Sequence, residues 1–144
     1  MKINRFYIYR LVGDELERDI GVGDITTTSI VPPYLQTTGQ IICRSCGILA
    51  GIEFAKATFA IVDDSINFDI HYNDGEELTT GDVVVKLSGS AHSILTAERT
   101  ALNFLGHLSG IATRTANFVK AVEGKKSQVF LWDLNSSGEI YASN

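Results

Sequence analysis

Apolar positions recur along this chain with two different periods, and the change of period marks out its elements. The longest regular stretch runs from Ser93 to Val122. Ile94, Ala97, Ala101, Phe104, Leu105, Leu108, Ile111, Ala112 and Val119 fall on one arc of a helical wheel. Arg99, Asn103, Gly106, Gly110, Thr113 and Asn117 fall on the other. This predicts one long helix of about 40 Å, capped by Ser90 or Ser93, with Ser109-Gly110 as the place for a bend. The glycines of the polar arc let a second backbone or a ligand come close.

The rest of the chain divides more finely. Ile3 to Asp19 predicts an amphipathic helix offering Phe6, Ile8, Tyr9, Val12 and Leu16 for burial, and a glycine-rich turn follows at Gly21-Val22-Gly23. Pro32-Pro33 predicts a rigid extended entry to the next element. Thr38 to Cys46 has the β-branched content of a strand ended by Gly47. Gly51 to Val62 returns to helical period, with Phe54, Ala55, Thr58, Phe59 and Val62 on the core side. Ile66 to Tyr72 alternates as a strand, Asn73-Asp74-Gly75 is a turn, and Val83 to Leu87 is a further strand closed by Gly89. Glu76-Glu77 is read as solvent-facing. Val129 to Asp133 is a short apolar run expected as a strand, and Leu134 to Asn144 is polar and expected as a loose tail. The elements add up to an α+β fold: a small antiparallel strand sandwich with flanking helices and one long C-terminal helix.

Composition narrows the function classes. With 144 residues, 44% hydrophobic and 20% charged, the chain suits one soluble domain with a real core. A net charge of −5 with scattered basic residues argues against nucleic acid as a partner. No apolar run reaches membrane-spanning length, and Lys2, Arg5 and Arg10 interrupt any apolar start, so the expectation is a cytoplasmic protein without a membrane partner.

Four candidates for chemistry stand out. Arg99 has Leu95, Thr96, Leu102 and Asn103 at its helical neighbour positions, so no acid pairs with it within the helix. It is placed near the helix start, where the dipole favours anions. Two readings stay open for it, an anion site and an ion pair with a distant carboxylate. Cys43 and Cys46 form a C-x-x-C, but residues three apart on a strand face opposite ways, so they are read as two strand cysteines and not as a redox or metal pair. Gly21-x-Gly23 has no third glycine and no preceding strand, which sets a dinucleotide fingerprint aside. The glycine-cornered strands also suit a biotinyl- or lipoyl-like carrier, but Lys86 sits within a strand and not at a hairpin tip.

Leu16 to Thr27 (LERDIGVGDITT), Gly47 to Gly51 (GILAG), Leu95 to Leu105 (LTAERTALNFL) and Leu108 to Thr113 (LSGIAT) closely resemble quinolinate phosphoribosyltransferase, also called nicotinate-nucleotide pyrophosphorylase (carboxylating). The similarity is in register from about Leu11 to Asp133. It implies an N-terminal α+β domain leading through the long helix into a barrel. It also implies conversion of quinolinate and phosphoribosyl pyrophosphate to nicotinate mononucleotide, pyrophosphate and carbon dioxide, with Mg2+, in NAD biosynthesis. In the family the arginine matching Arg99 crosses a dimer interface to bind a quinolinate carboxylate in the partner's barrel. Asp133 is followed here by LNSSG, where the family continues with Thr-Arg-Lys-Thr. The expected division is therefore 1–133, a family N-terminal-like domain running into the linker helix and first barrel strand, and 134–144, a divergent tail. A truncated or frameshifted C-terminus is implied, with the family's barrel absent, no catalytic residue and no Mg2+ site in this chain, and no activity by itself. The alternatives are a non-catalytic dimerisation or interaction module and a fragment of a molybdenum-associated paralogue. Glu98 to Asn103 favours the quinolinate branch.

Overall fold

The computed structural model describes residues 3–23, 30–123, 132–134 and 140–142. Helix α1 (Arg5–Gly23) leads to strand β1 (Gln36–Ile42), the short β2 (Gly47–Ile48) and helix α2 (Ile52–Val62). Strands β3 (Asn67–Ile70), β4 (Glu77–Leu78) and β5 (Val83–Ser90) follow, then helix α3 (Ala91–Val122) and the strands β6 (Trp132–Leu134) and β7 (Ile140–Ala142). β5 is the centre of an antiparallel sheet, order β1-β5-β3, while β2 pairs with β4 and β6 with β7. No closed barrel is present among the described residues.

The sheet and the helices α2 and α3 close over one apolar layer. Alternation sends Val85 and Leu87 of β5 and Phe68 and Ile70 of β3 to one face, where they meet Phe59 of α2 and Ile94, Ala97, Ala101 and Leu105 of α3. Phe59 stands 5.6 Å from Phe68 between ring centroids, a contact worth more than its buried area alone. Tyr72 continues the predicted face of Ile66, Phe68 and Ile70 against this core. Lys86 points from the middle of the central strand to the exposed face, between Gln40 and Asp69.

Helix α1 packs as a separate, narrower stripe. Ile8, Val12 and Leu16, four residues apart, are buried with Ala57 of α2. The wider face read from the sequence does not form: Phe6 is 86% exposed and Tyr9 is also exposed. The helix also runs on through Gly21 and ends at Gly23, where a turn was expected. Residues 24–29 of the glycine-rich stretch lie outside the described residues. Pro32 opens a turn closed by Leu35 N–H donating to Pro32 O at 3.1 Å, so the diproline bends the chain where an extended entry was expected.

Other boundaries move for local reasons. β1 starts at Gln36 and stops at Ile42, before both cysteines, after a register shift between Ile41 and Ile42. β5 extends to Ser90, whose hydroxyl accepts from Ser93 N–H, so strand and helix adjoin directly. α3 continues as one helix across Ser109-Gly110, where a bend was expected. β2 and β4 were missed because two-residue strands carry too few side chains to show a period. Of the expected strand Val129–Asp133, residues 129–131 lie outside the description, while Trp132–Leu134 pairs with Ile140–Ala142. Part of the tail expected to be loose is thus a strand.

Candidate functional site

Helix α3 carries the site, and its first half is oriented by the core. Ile94, Ala97, Thr100, Ala101 and Leu105 are buried, which turns Glu98, Arg99, Leu102, Asn103 and Gly106 outward. The apolar arc read from the sequence holds only this far. Ile111 and Val119, expected to be buried, are exposed, as is Phe118 beside them.

Arg99 has no ion-pair partner among the described residues. The helix begins at Ala91, eight residues earlier, so Arg99 lies beyond the first turn, and the dipole that was expected to assist it has largely faded there. Beside it on the helix stands Thr100. That buried hydroxyl donates to Asp19 Oδ2 on α1 at 2.6 Å across 81 residues of sequence. Asp19, Glu15, Asn103 and His107 border a cleft between α1 and α3 with Thr100 and Phe104. Below it Phe104 stacks on Phe54 at 5.2 Å. The first turn of α3 is tied to the end of α2 by Asp63. Hydrogen bonds from Ser65, and then from Ser93, hold this carboxyl below its ordinary range.

The second half of α3 holds β2. Ile48 N–H donates to Thr113 Oγ1 at 2.9 Å, and Ala50 N–H donates to Ser109 Oγ at 3.0 Å. Thr113 returns its own proton to Ser109 O at 2.7 Å. These hydroxyls satisfy the edge of β2, which the two-stranded pairing with β4 leaves open. The strand approaches because it has no side chain at two points. A Cβ on Gly47 would stand 2.5 Å from Thr113 Oγ1, and one on Gly51, at φ +101°, would stand 2.9 Å from Leu108 Cδ1. Among the described residues no second backbone comes close to the helix's own glycines: Gly106 and Gly110 have open space beside Cα and border a groove.

Between the β1–β2 connection and α3 lies an apolar groove of about 480 Å³. Leu102, Leu105, Ile48 and Leu78 line it, Arg44 and Arg114 border it, and no carboxylate does. Cys43 and Cys46 border the same groove, which overturns their reading as strand cysteines on opposite faces. Both belong to the connection between β1 and β2. Among the described residues no cluster of three or more His, Cys, Asp or Glu could hold a metal ion. No helix there is long and apolar enough to cross a membrane.

The fold and its clamp define a class: an α+β domain in which a long helix grips a glycine-flanked strand and presents an exposed arginine one residue from a buried anchor. The match to the family described as quinolinate phosphoribosyl transferase, N-terminal domain, covers residues 24–109, more than half of the chain. The chain belongs to this family. It is 40% identical over 123 residues to a probable nicotinate-nucleotide pyrophosphorylase [carboxylating] of Methanocaldococcus jannaschii, covering 85% of this chain and 42% of that protein. The probable counterpart from Bacillus subtilis is 32% identical over 127 residues, covering 88% and 44%. Among solved structures, the nicotinate-nucleotide pyrophosphorylase from Francisella tularensis superposes with a TM-score of 0.81 at 36% identity, covering 88% of this chain and 45% of that one. The chain therefore spans less than half the length of these relatives.

Proposed function

We propose that this chain is the N-terminal domain of an enzyme of NAD biosynthesis that forms nicotinate mononucleotide, pyrophosphate and CO2 from quinolinate and phosphoribosyl pyrophosphate. In this reading Arg99 binds a quinolinate carboxylate held in the barrel of a partner subunit, and the enzyme is a homodimer or larger assembly. One observation carries it. Arg99 is exposed, has no ion-pair partner among the described residues, and borders neither groove flanking α3. A guanidinium so placed is free to form a bidentate pair with a carboxylate on another body.

The chemistry assigns the remaining work elsewhere. Ribosyl transfer builds positive charge on the sugar and negative charge on departing pyrophosphate, and decarboxylation adds carbanion character. Magnesium is a hard cation held by oxygen ligands and substrate phosphates. The magnesium would sit with the pyrophosphate in the barrel, so catalysis depends on a barrel half. A cytoplasmic setting fits these substrates. The test joins this domain to the barrel half of the Bacillus subtilis relative and assays nicotinate mononucleotide formation. Mixing Arg99→Ala subunits with subunits inactivated in the barrel restores part of the activity if the arginine acts across the interface. Full activity of Arg99→Ala alone rejects the role.

A second reading, a non-catalytic association module, is favoured by the exposed Ile111, Phe118 and Val119 on the distal part of α3. Light scattering separates the two: the module oligomerises without any barrel, at micromolar concentration.

A further inference from the structure

The connection between β1 and β2 holds two thiols that phosphoribosyl transfer does not employ. Cys43 is half-buried, Cys46 is exposed, and both are free. Cys43 Sγ lies 2.9 Å from Ser45 O, so the side chain points along the loop toward the peptide joining Ser45 to Cys46. From standard peptide dimensions its sulfur is then no more than about 5 Å from Cys46 N, beside the backbone of the second cysteine. Both ends of the loop are fixed. Cys43 N–H donates to Asp82 O and Cys43 O accepts from Gly81 N–H, each at 2.8 Å, while Ile48 is held by Thr113 beyond the other end. The fold thus keeps both cysteines on one groove, with the rim residue Arg44 between them in sequence.

We infer that Cys43 and Cys46 form a reversible intrachain disulfide at the rim of the apolar groove. Two thiols alone make half the donor set of a structural zinc site, and two guanidinium groups border them, so a cation is the poorer fit. The oxidant is an anionic low-molecular-weight disulfide, which approaches Arg44 and Arg114 at a groove with no carboxylate in its lining. The thiolate of exposed Cys46 attacks one sulfur of that disulfide, breaks its S–S bond and releases one small thiolate, leaving a mixed disulfide on Cys46. Cys43, after losing its proton to solvent, attacks the Cys46 sulfur and expels the second small thiolate. Two cysteine thiols lose two electrons together, and one disulfide is reduced to two thiols. The closed form gives up the hydrogen bond of Cys43 to Ser45 and fixes Arg44 at the groove rim.

The test equilibrates the reduced chain with mixtures of glutathione and glutathione disulfide, blocks remaining thiols, and weighs the intact protein. The expected product has lost two hydrogens and carries no glutathione. Cys43→Ser stops at a single glutathione adduct on Cys46. The same titration in unfolding urea favours the disulfide about tenfold less, a shift of about 30 mV for this two-electron couple, because the folded loop already holds the sulfurs together. A wild-type chain that keeps glutathione on Cys46, one that crosslinks only to a second chain, or equal midpoints in the folded and unfolded forms would each overturn the proposal.

Discussion

Thr113 Oγ1 accepts the backbone N–H of Ile48 at 2.9 Å, joining residues 65 apart in sequence. Two of the motifs that carry the family resemblance, GILAG and LSGIAT, are therefore two halves of one contact. Ser109 and Thr113 supply hydroxyls, and Gly47 and Gly51 supply the room to reach them. Thr113→Val keeps the shape and removes the acceptor. It is expected to cost about 1–2 kcal/mol in urea unfolding, since a half-buried N–H loses its partner. Thr113→Ser should recover most of that loss.

The glycines give a paired prediction of opposite sign. Gly51→Ala places a Cβ 2.9 Å from Leu108 Cδ1 at a positive φ and should destabilise by about 1–3 kcal/mol. Gly106→Ala adds a methyl in open space within α3 and should stabilise by about 0.5–1 kcal/mol through helix propensity. Denaturant midpoints of both variants check the signs. A destabilising Gly106→Ala would mean that something already sits against α3 in solution.

Asp19 and Thr100 test whether α1 positions Arg99. Thr100→Val removes the donor to a carboxylate and should lower stability by about 1–2 kcal/mol. Hydrogen exchange should quicken at the end of α1 more than in β5. In the chain joined to a barrel it should also raise KM for quinolinate, while the conservative Thr100→Ser restores both.

Arg99→Ala should leave unfolding almost unchanged, because no described carboxylate relies on it. In the barrel-joined chain the lost charge-assisted contact is worth about 1.5–3 kcal/mol, a fall of roughly ten- to hundredfold in kcat/KM. Arg99→Lys should be impaired as well, since an ammonium lacks the planar fork.

The pH dependence follows from Asp63. Its carboxyl is held below the ordinary range, first by the Ser65 hydroxyl and next by Ser93. A depressed folded-state value means the contribution is complete above about pH 5 and is lost progressively below about pH 4, as pH falls through the folded value. Solvent screening keeps it under about 1 kcal/mol. Asp63→Asn should be slightly less stable than wild type at pH 6, and the two should converge near pH 2 when followed by circular dichroism.

What the sequence determined by itself were the features carried by many residues of one period. α2, the buried first half of α3, the Ile66–Tyr72 face and the α+β class are of this kind, because side-chain period is a local property of the backbone. The absence of an acid beside Arg99 within its helix was equally local. Tertiary structure alone decided which apolar positions are covered. Phe6 and Tyr9 of α1, and Ile111 and Val119 of α3, have the right period but stay exposed among the described residues, and period measures a face without supplying its partner. It also decided the long-range polar contacts. Thr100 to Asp19 and Thr113 to Ile48 join residues 81 and 65 apart, and no local pattern encodes a hydrogen bond formed only when two elements meet. The cysteines show the same division: their spacing was plain, but a strand that stops at Ile42 put both cysteines on one groove.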